Sequence, residues 1–321
     1  MPGTCTVVIP TYNEEDNIVK MAKALRESYP EFRVLFMDDN SKDGSKALIE
    51  DLGDPYVRFF VRKPEERGLA ASVMQGFCIC GTDYFINMDC DFQHPLSALG
   101  PIYEKLEAGD DLVVGTRTNR MIMGFSRGLG SWIFNIWYAL ELKLHGKQTT
   151  TDLMSGLMGG RTDVFKPIIE KNWDQMELTG WKVLADLLKY SDRKLRIGKV
   201  EYSFEKREVG KSHLNEKVVI TSFHQMWGFG KLMAKMYARV KGVDYYAMYP
   251  GEKKRRGRPF SIRERWSHEP WIGGRDHGVR GRHGSDGRCA EVHGGHPEQV
   301  PQSRRPHRRG PRRESDRGKA R

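Results

Sequence analysis

The sequence is short of several things, and each shortage excludes a class of protein. No stretch reaches the roughly 18 apolar residues that a membrane-spanning helix needs. The amino-terminal MPGTCTVVIP has no basic segment followed by an apolar one, so neither a secretory leader nor a membrane span is expected. Cysteine is sparse and odd in number: Cys5, Cys78, Cys80, Cys90 and Cys289 in 321 residues. Cys78 and Cys80 stand one residue apart, which fits neither a zinc knuckle nor a C-x-x-C redox pair. Reduced, buried thiols are the expectation. There is no Walker-type phosphate loop and no internal repeat. The first 250 residues also lack net charge, with 33 basic and 33 acidic side chains. The chain's +11 comes wholly from 251–321, where 20 basic side chains face 9 acidic ones. That excludes a uniformly basic, nucleic-acid-coating surface.

What is present is a neutral body long enough for a sizeable core. Through the first 115 residues it alternates two kinds of periodicity. Short β-branched and apolar runs predict strands over 4–9, 33–37, 57–61, 84–88 and 112–115. Apolar residues at helical spacing predict helices over 14–29, 47–52, 69–77 and 99–107. Strands alternating with helices imply a doubly wound, mostly parallel α/β sheet. In such a sheet ligands bind outside the carboxyl ends of the strands.

The middle is less regular. Helices are expected over 129–144, 162–171 and 182–190, and a late strand over 195–204. The stretch 218–237 interleaves Phe223, Met226, Trp227, Phe229, Leu232, Met233 and Met236 with Lys231 and Lys235. It reads either as a helix lying in a membrane interface or as one packed on the core. From Gly251 the chain is rich in Arg, Gly and His and poor in aliphatic residues, so disorder is expected. The organisation implied is a catalytic domain over 1–217, an amphipathic segment over 218–250 and a tail over 251–321.

Four clusters lie just after strands. Asn87-Met88-Asp89-Cys90-Asp91-Phe92-Gln93-His94-Pro95 sets two carboxylates one residue apart at a strand end. Hard oxygen donors of this kind suit Mg²⁺ or Mn²⁺ bridging a diphosphate. Alone, the pattern reads more readily as a solvated turn; its place after the fourth strand of an α/β sheet reverses that. Pro10-Thr11-Tyr12-Asn13-Glu14 offers a flat ring for a base, or simply a helix cap. Asp38-Asp39-Asn40-Ser41 can accept hydrogen bonds from a ribose or a base, or form a capped turn. Arg67-Gly68-Leu69-Ala70-Ala71-Ser72 opens a helix with small residues that permit close backbone approach.

In this order, the four clusters resemble those of the nucleotide-sugar glycosyltransferases with a single Rossmann-like domain. The resemblance is strongest to the dolichol-phosphate mannosyltransferases and covers about residues 4–215. Asn87–Pro95 resembles the family's M-D-A-D-L-Q-H-P. Val113-Val114-Gly115-Thr116-Arg117 resembles its V-V-G-S-R, and 151–156 its D-x-x-S-G. Residues 204–212 resemble F-x-x-R-x-x-G-x-S. The resemblance implies that Pro10, Tyr12, Glu14 and Asp39 hold the donor base. It implies that Asp89, Asp91 and Gln93 bind the metal and donor diphosphate, with Asp89 and Asp91 catalytic. Arg117 would lie near the acceptor phosphate and Arg207 would close over the phosphates, both as catalytic residues. Arg120, Arg127 and Ser131 are further candidates for the acceptor-phosphate site, which 118–150 leaves open among them.

The implied reaction is inverting transfer of a sugar, mannose from GDP-mannose foremost, to a polyprenyl (dolichyl) phosphate. The implied cofactor is Mg²⁺ or Mn²⁺. A phosphate acceptor needs no strong base. For a hydroxyl acceptor Asp152 and Glu177 are open as bases. The expected setting is the cytoplasmic face of a membrane, docked peripherally through 129–144 and 218–237 or through a membrane-protein partner. Two alternatives stand beside it. One is the same fold with another donor, such as UDP-glucose, or a non-lipid acceptor. The other is nucleic-acid binding through the tail. The tail also reads as a segment attracted to anionic lipid, as an end without a role, or as an out-of-frame extension.

Overall fold

Alternate residues of the first strand, β1 (Cys5–Thr11), enter two different cores. Val8 packs with Leu35, Met37, Phe77 and Phe85, whereas Val7 and Ile9 pack with Val34, Phe36, Ile86 and Met88. Strand side chains alternate between faces, so a strand buried on both sides belongs to a sheet covered by helices on both faces. The computed structural model describes residues 3–119, 125–180, 182–203 and 216–249, with side chains except at 125–131, 133, 216 and 218. The described residues belong to the first of two units, Met1–Gly274. The tail from Gly251 lies outside them, whereas the expected domain boundary at 217 falls within them, in the segment 216–249.

The chain runs through β1, α1 (Glu15–Ser28), β2 (Arg33–Asp38), α2 (Ser45–Leu52), β3 (Val57–Val61), α3 (Leu69–Ile79), β4 (Tyr84–Asn87), α4 (Leu99–Glu107) and β5 (Leu112–Arg117). It continues through α5 (Phe125–Leu144), β6 (Met158–Arg161), α6 (Thr162–Asn172), α7 (Val183–Tyr190), β7 (Ile197–Tyr202), α8 (Glu216–His224), α9 (Gly228–Val240) and α10 (Tyr245–Met248). Among the described residues, seven strands lie in the order β3-β2-β1-β4-β6-β5-β7. All pairs are parallel except the two made by β6. This is the doubly wound, mostly parallel sheet that the periodicity implies.

Three details differ from the expectation. β6, Met-Gly-Gly-Arg, is a strand with no apolar alternation. A Cβ on Gly159 would lie 2.5 Å from Ile102, and one on Gly160 would lie 2.6 Å from Phe85. Close packing of α4, α6 and β4 therefore demands glycine where a strand normally carries a branched residue. Pro10 lies inside β1 rather than in the turn beyond it. β1 pairs with β4 only as far as Val8, so Pro10 falls where one flank of the strand has no ladder to lose. The single helix expected over 218–237 is two, because the chain breaks between His224 and Gly228. Met226 in that break is buried in the main core, while Ile220, Ala234, Ala238 and Tyr245 form a small core of their own.

Cys5, Cys78, Cys80 and Cys90 are unpaired and buried, and burial pushes the Cys5, Cys78 and Cys90 thiols up. No described helix is long and apolar enough to cross a membrane.

Candidate active site

β1, β2 and β4 release their chains at one edge of the sheet. Among the described residues only three non-glycines have positive φ: Asn13 at 55°, Asn40 at 60° and Phe92 at 58°. One follows each of these three strands. Asparagine tolerates the left-handed region, but a phenylalanine there is strained, at a cost on the order of 1–3 kcal/mol. Such strain collects where a loop must aim functional groups.

The two aspartates after β2 divide their work. Asp38 is buried and accepts from the Ser41 N–H at 2.8 Å and the Ser41 hydroxyl at 2.5 Å. That is the capped turn the sequence allows. Asp39 accepts from the Gly68 N–H at 3.0 Å and pairs with the Arg62 guanidinium. Arg62 is itself buried and donates to Gln75 at 2.7 Å and to the Glu66 carbonyl at 2.6 Å. Burial pushes the Asp39 carboxyl up, against the pull of Arg62 and the Gly68 N–H. Tyr12 is 48% exposed, and the Arg67 guanidinium lies 4.2 Å over its ring. A hydrogen bond from Arg67 holds the phenol below its ordinary range. Asn13 accepts from the Lys42 N–H at 3.0 Å, and Glu14 accepts from the Asn17 amide at 3.1 Å. The Gly68 turn is backed by a second chain segment. Ala70 and Ala71 donate to the carbonyls of Gly180 and Leu178 at 2.9 and 3.0 Å.

After β4 the chain folds back on itself. The Asp89 N–H donates to His94 Nδ1 at 3.1 Å, and the Gln93 N–H donates to the Asp91 carboxylate at 3.1 Å. Asp91 is 5% exposed, but the Asp89 side chain is 41% exposed and opens to solvent. His94 is buried, and burial lowers its pKa to about 4, so it is neutral. The Asn87 amide donates to the Gly156 carbonyl at 2.6 Å, and a Cβ on Gly156 would stand 3.6 Å from an Asp89 oxygen. The 151–156 loop thus lines Asp89. Among the described residues no three His, Cys, Asp or Glu side chains converge into a metal cage. A cation held by one or two carboxylates and completed by substrate phosphates asks for no such cage. Asp89 and Asp91 fit that kind of site.

Arg117 ends β5 and donates to both oxygens of Asp152 at 2.9 Å. Burial works against the charged guanidinium, but Asp152 outweighs it and keeps the pKa raised. Asn135 on α5 holds the same loop from behind, donating to the Thr151 carbonyl at 3.1 Å and accepting from the Leu153 N–H at 2.8 Å. Glu177 lies elsewhere. It accepts from the Thr179 hydroxyl at 2.6 Å and contacts His224 Nδ1 at 2.9 Å. Burial would raise its carboxyl, but those bonds hold it below the usual range. Arg120 and Arg207 lie outside the described residues, as do the side chains of Arg127 and Ser131. Arg62 and Asn135 are the side chains that sequence reasoning missed. The one available signal was Arg62, a charged residue directly after an apolar strand.

A doubly wound sheet with acidic and basic side chains gathered at its carboxyl edge is the frame of a ligand-binding α/β enzyme. Residues 6–169, just over half the chain, match glycosyl transferase family 2. The chain belongs to that family and is a glycosyltransferase. It is similar to the dolichol-phosphate mannosyltransferase of Pyrococcus furiosus, 25% identical over 74% of this chain and 66% of that one. It is similar also to that of Saccharomyces cerevisiae, 29% identical over 69% of this chain and 85% of that one. The undecaprenyl-phosphate mannosyltransferase of Micrococcus luteus is 29% identical over 73% of this chain and 97% of its own. Among solved structures, glucosyl-3-phosphoglycerate synthase from Mycobacterium tuberculosis is similar at a TM-score of 0.47 and 16% identity, over 75% of this chain and 81% of that one.

Proposed function

We propose that this chain transfers mannose from GDP-mannose to a polyprenyl (dolichyl) phosphate, with inversion at the sugar carbon and with Mg²⁺ or Mn²⁺. The names of the relatives at 25–29% identity support the lipid-phosphate acceptor and the mannosyl group. The observation that supports it most is the partnering of Asp152 and Glu177. Asp152 is committed to Arg117, and Glu177 to Thr179 and His224. Neither carboxylate is poised to take a proton from an incoming hydroxyl. That favours an acceptor carrying its own negative charge.

A phosphate monoester has a second pKa near ~6 and is largely dianionic at neutral pH. One of its oxygens attacks the anomeric carbon while the bond from that carbon to the donor diphosphate breaks. The nucleoside diphosphate leaves with the electron pair, and no proton need move. On this reading Tyr12, Pro10, Glu14 and Asp39 bind the donor base and its ribose. Asp89, Asp91 and Gln93 would hold the cation, which would supply positive charge against the leaving diphosphate. Arg207 closes over those phosphates. Arg117, with Arg127 and Ser131, receives the acceptor phosphate. The enzyme works at the cytoplasmic face of a membrane, where the lipid's head group lies.

Transfer of labelled sugar from a panel of nucleotide sugars, GDP-mannose and UDP-glucose included, to a polyprenyl phosphate tests the reading. The expected result is metal-dependent transfer, strongest with GDP-mannose. Transfer only to a soluble, non-lipid acceptor would overturn it.

A further inference from the structure

The first turn of α3 has no side-chain cap. An α-helix leaves its first N–H groups without partners of its own. Here two of them, on Ala70 and Ala71, donate to the carbonyls of Gly180 and Leu178 at 2.9 and 3.0 Å. A segment more than 100 residues further along the chain therefore caps the helix. The same segment presses on Gly68, where a Cβ would meet the Leu178 carbonyl. Gly68 in turn donates its N–H to Asp39, and Arg67 lies over Tyr12. The Leu178 and Gly180 carbonyls thus set where this turn stands against two of the donor candidates.

One side chain shapes that segment. Glu177 is buried, and its Oε1 accepts from the Thr179 N–H at 3.2 Å and the Thr179 hydroxyl at 2.6 Å. Gly180 closes against its stem, where a Cβ would stand 3.0 Å from Glu177 Cγ. The Glu177 N–H donates to the buried Asp186 carboxyl at 2.8 Å. The second oxygen, Oε2, accepts from His224 Nδ1 at 2.9 Å. His224 ends α8 and stacks on Tyr249 with ring centroids 3.6 Å apart. The break that follows is gripped too. Lys189 donates to the Gln225 carbonyl at 2.5 Å, and the Trp227 N–H donates to Glu141 at 2.8 Å. Burying a carboxylate costs free energy that an apolar side chain of similar size avoids. What the carboxylate adds is a fixed geometry at both of its ends.

Resting on the reading that Tyr12 and Asp39 hold the donor base, we propose that Glu177 is a positioning residue of the donor site. It fixes the Leu178 and Gly180 carbonyls. They fix Gly68, Ala70 and Ala71, and Gly68 fixes Asp39. His224 anchors the far end, so the α8–α9 junction takes part in setting donor affinity.

The test compares full-length wild type with Glu177→Ala, Glu177→Gln and His224→Ala. Backbone hydrogen exchange is followed without nucleotide, and GDP affinity is measured by calorimetric titration. Glu177→Ala should speed exchange at Ala70 and Ala71 and weaken GDP binding, each by roughly tenfold. Exchange inside β1 and β4 should not change, whereas a general loss of stability would speed it there as well. Glutamine can still accept from Thr179 through its carbonyl oxygen and can donate to a neutral His224 through its amide. Glu177→Gln should therefore bring both quantities back to within about threefold of wild type. His224→Ala should move both in the same direction as Glu177→Ala, by a smaller factor. With GDP-mannose and a polyprenyl phosphate, Glu177→Ala should raise KM for the donor and leave kcat and KM for the lipid nearly unchanged. The proposal is overturned if neither Glu177→Ala nor His224→Ala alters exchange at Ala70 and Ala71. It is overturned too if exchange there quickens while GDP affinity stays the same. His224→Ala leaves the carboxylate in place and keeps the test decisive should Glu177→Ala fail to fold. Faster exchange in the variants of a wild type that binds no GDP would refute the donor reading and leave the link between the two segments standing. Unchanged exchange with normal GDP binding would refute the link and leave the donor reading intact.

Discussion

Arg117 and Asp152 form a two-point ion pair inside the protein, Nε to Oδ2 and Nη2 to Oδ1, each at 2.9 Å, with neither side chain more than 6% exposed. It joins the end of β5 to the loop that runs along Asp89. A buried charge is stabilised only while its partner stays. Asp152→Ala should therefore cost about 3–5 kcal/mol. Replacing both partners, as Arg117→Met with Asp152→Leu, should cost less than Asp152→Ala alone. Urea unfolding of the three proteins checks this. Equal stability of wild type and Asp152→Ala would contradict the pairing.

Two buried groups should give the protein opposing pH dependences. Burial lowers His94 to about 4 from an ordinary 6.5. Between those values the unfolded chain binds a proton there and the folded chain does not, so this contribution to stability rises with pH. Asp186, raised by burial to about 7 from 3.8, does the reverse. Between those values the folded chain keeps a proton that the unfolded chain has released, so stability falls as pH rises. Each effect amounts to a few kcal/mol at most, at about 1.4 kcal/mol per pKa unit. From pH 4 to 6.5 they largely cancel. Relative to wild type, His94→Gln should lose stability as pH rises through that window, and Asp186→Asn should gain it. Denaturant midpoints at several pH values measure both slopes, and equal slopes in the two variants would contradict the assignment.

Gly68 is where the Asp39 turn meets the segment behind it. A Cβ at this position would collide with the Leu178 carbonyl oxygen, a backbone atom that cannot swing aside. Its N–H also holds Asp39. Gly68→Ala should destabilise the fold by about 1–3 kcal/mol and weaken donor binding by displacing Arg67 and Asp39. Calorimetric titration with GDP gives the second quantity, and unchanged affinity would detach this turn from the donor site.

Much of the frame was legible from periodicity. The expected strands and helices of the first 115 residues match β1 to β5 and α1 to α4 to within two residues at most ends. β6 was not legible, because its glycines answer to packing by Ile102 and Phe85, residues distant in the chain. The strand-end clusters were legible as candidate sites, since a doubly wound sheet puts ligands there. Their inner partners were not. Arg62 reaches Asp39 across 23 positions, and Arg117 reaches Asp152 across 35. Nothing local in either segment signals such a pairing. The amphipathic 218–237 stretch has an inner and an outer side. Its inner residues pack on the core, and its outer row stays exposed.

On the proposed function, sugar transfer to a lipid phosphate depends on the carboxylates after β4. The most direct measurement is the rate of labelled mannose transfer from GDP-mannose to a polyprenyl phosphate by wild type and by Asp91→Ala, with Mg²⁺ or Mn²⁺ and again with a chelator. Wild type with metal should give lipid-linked mannose, and the variant a rate lower by on the order of 100-fold or more. The chelator should stop transfer by wild type. Full activity in Asp91→Ala, or transfer unaffected by chelation, would contradict it.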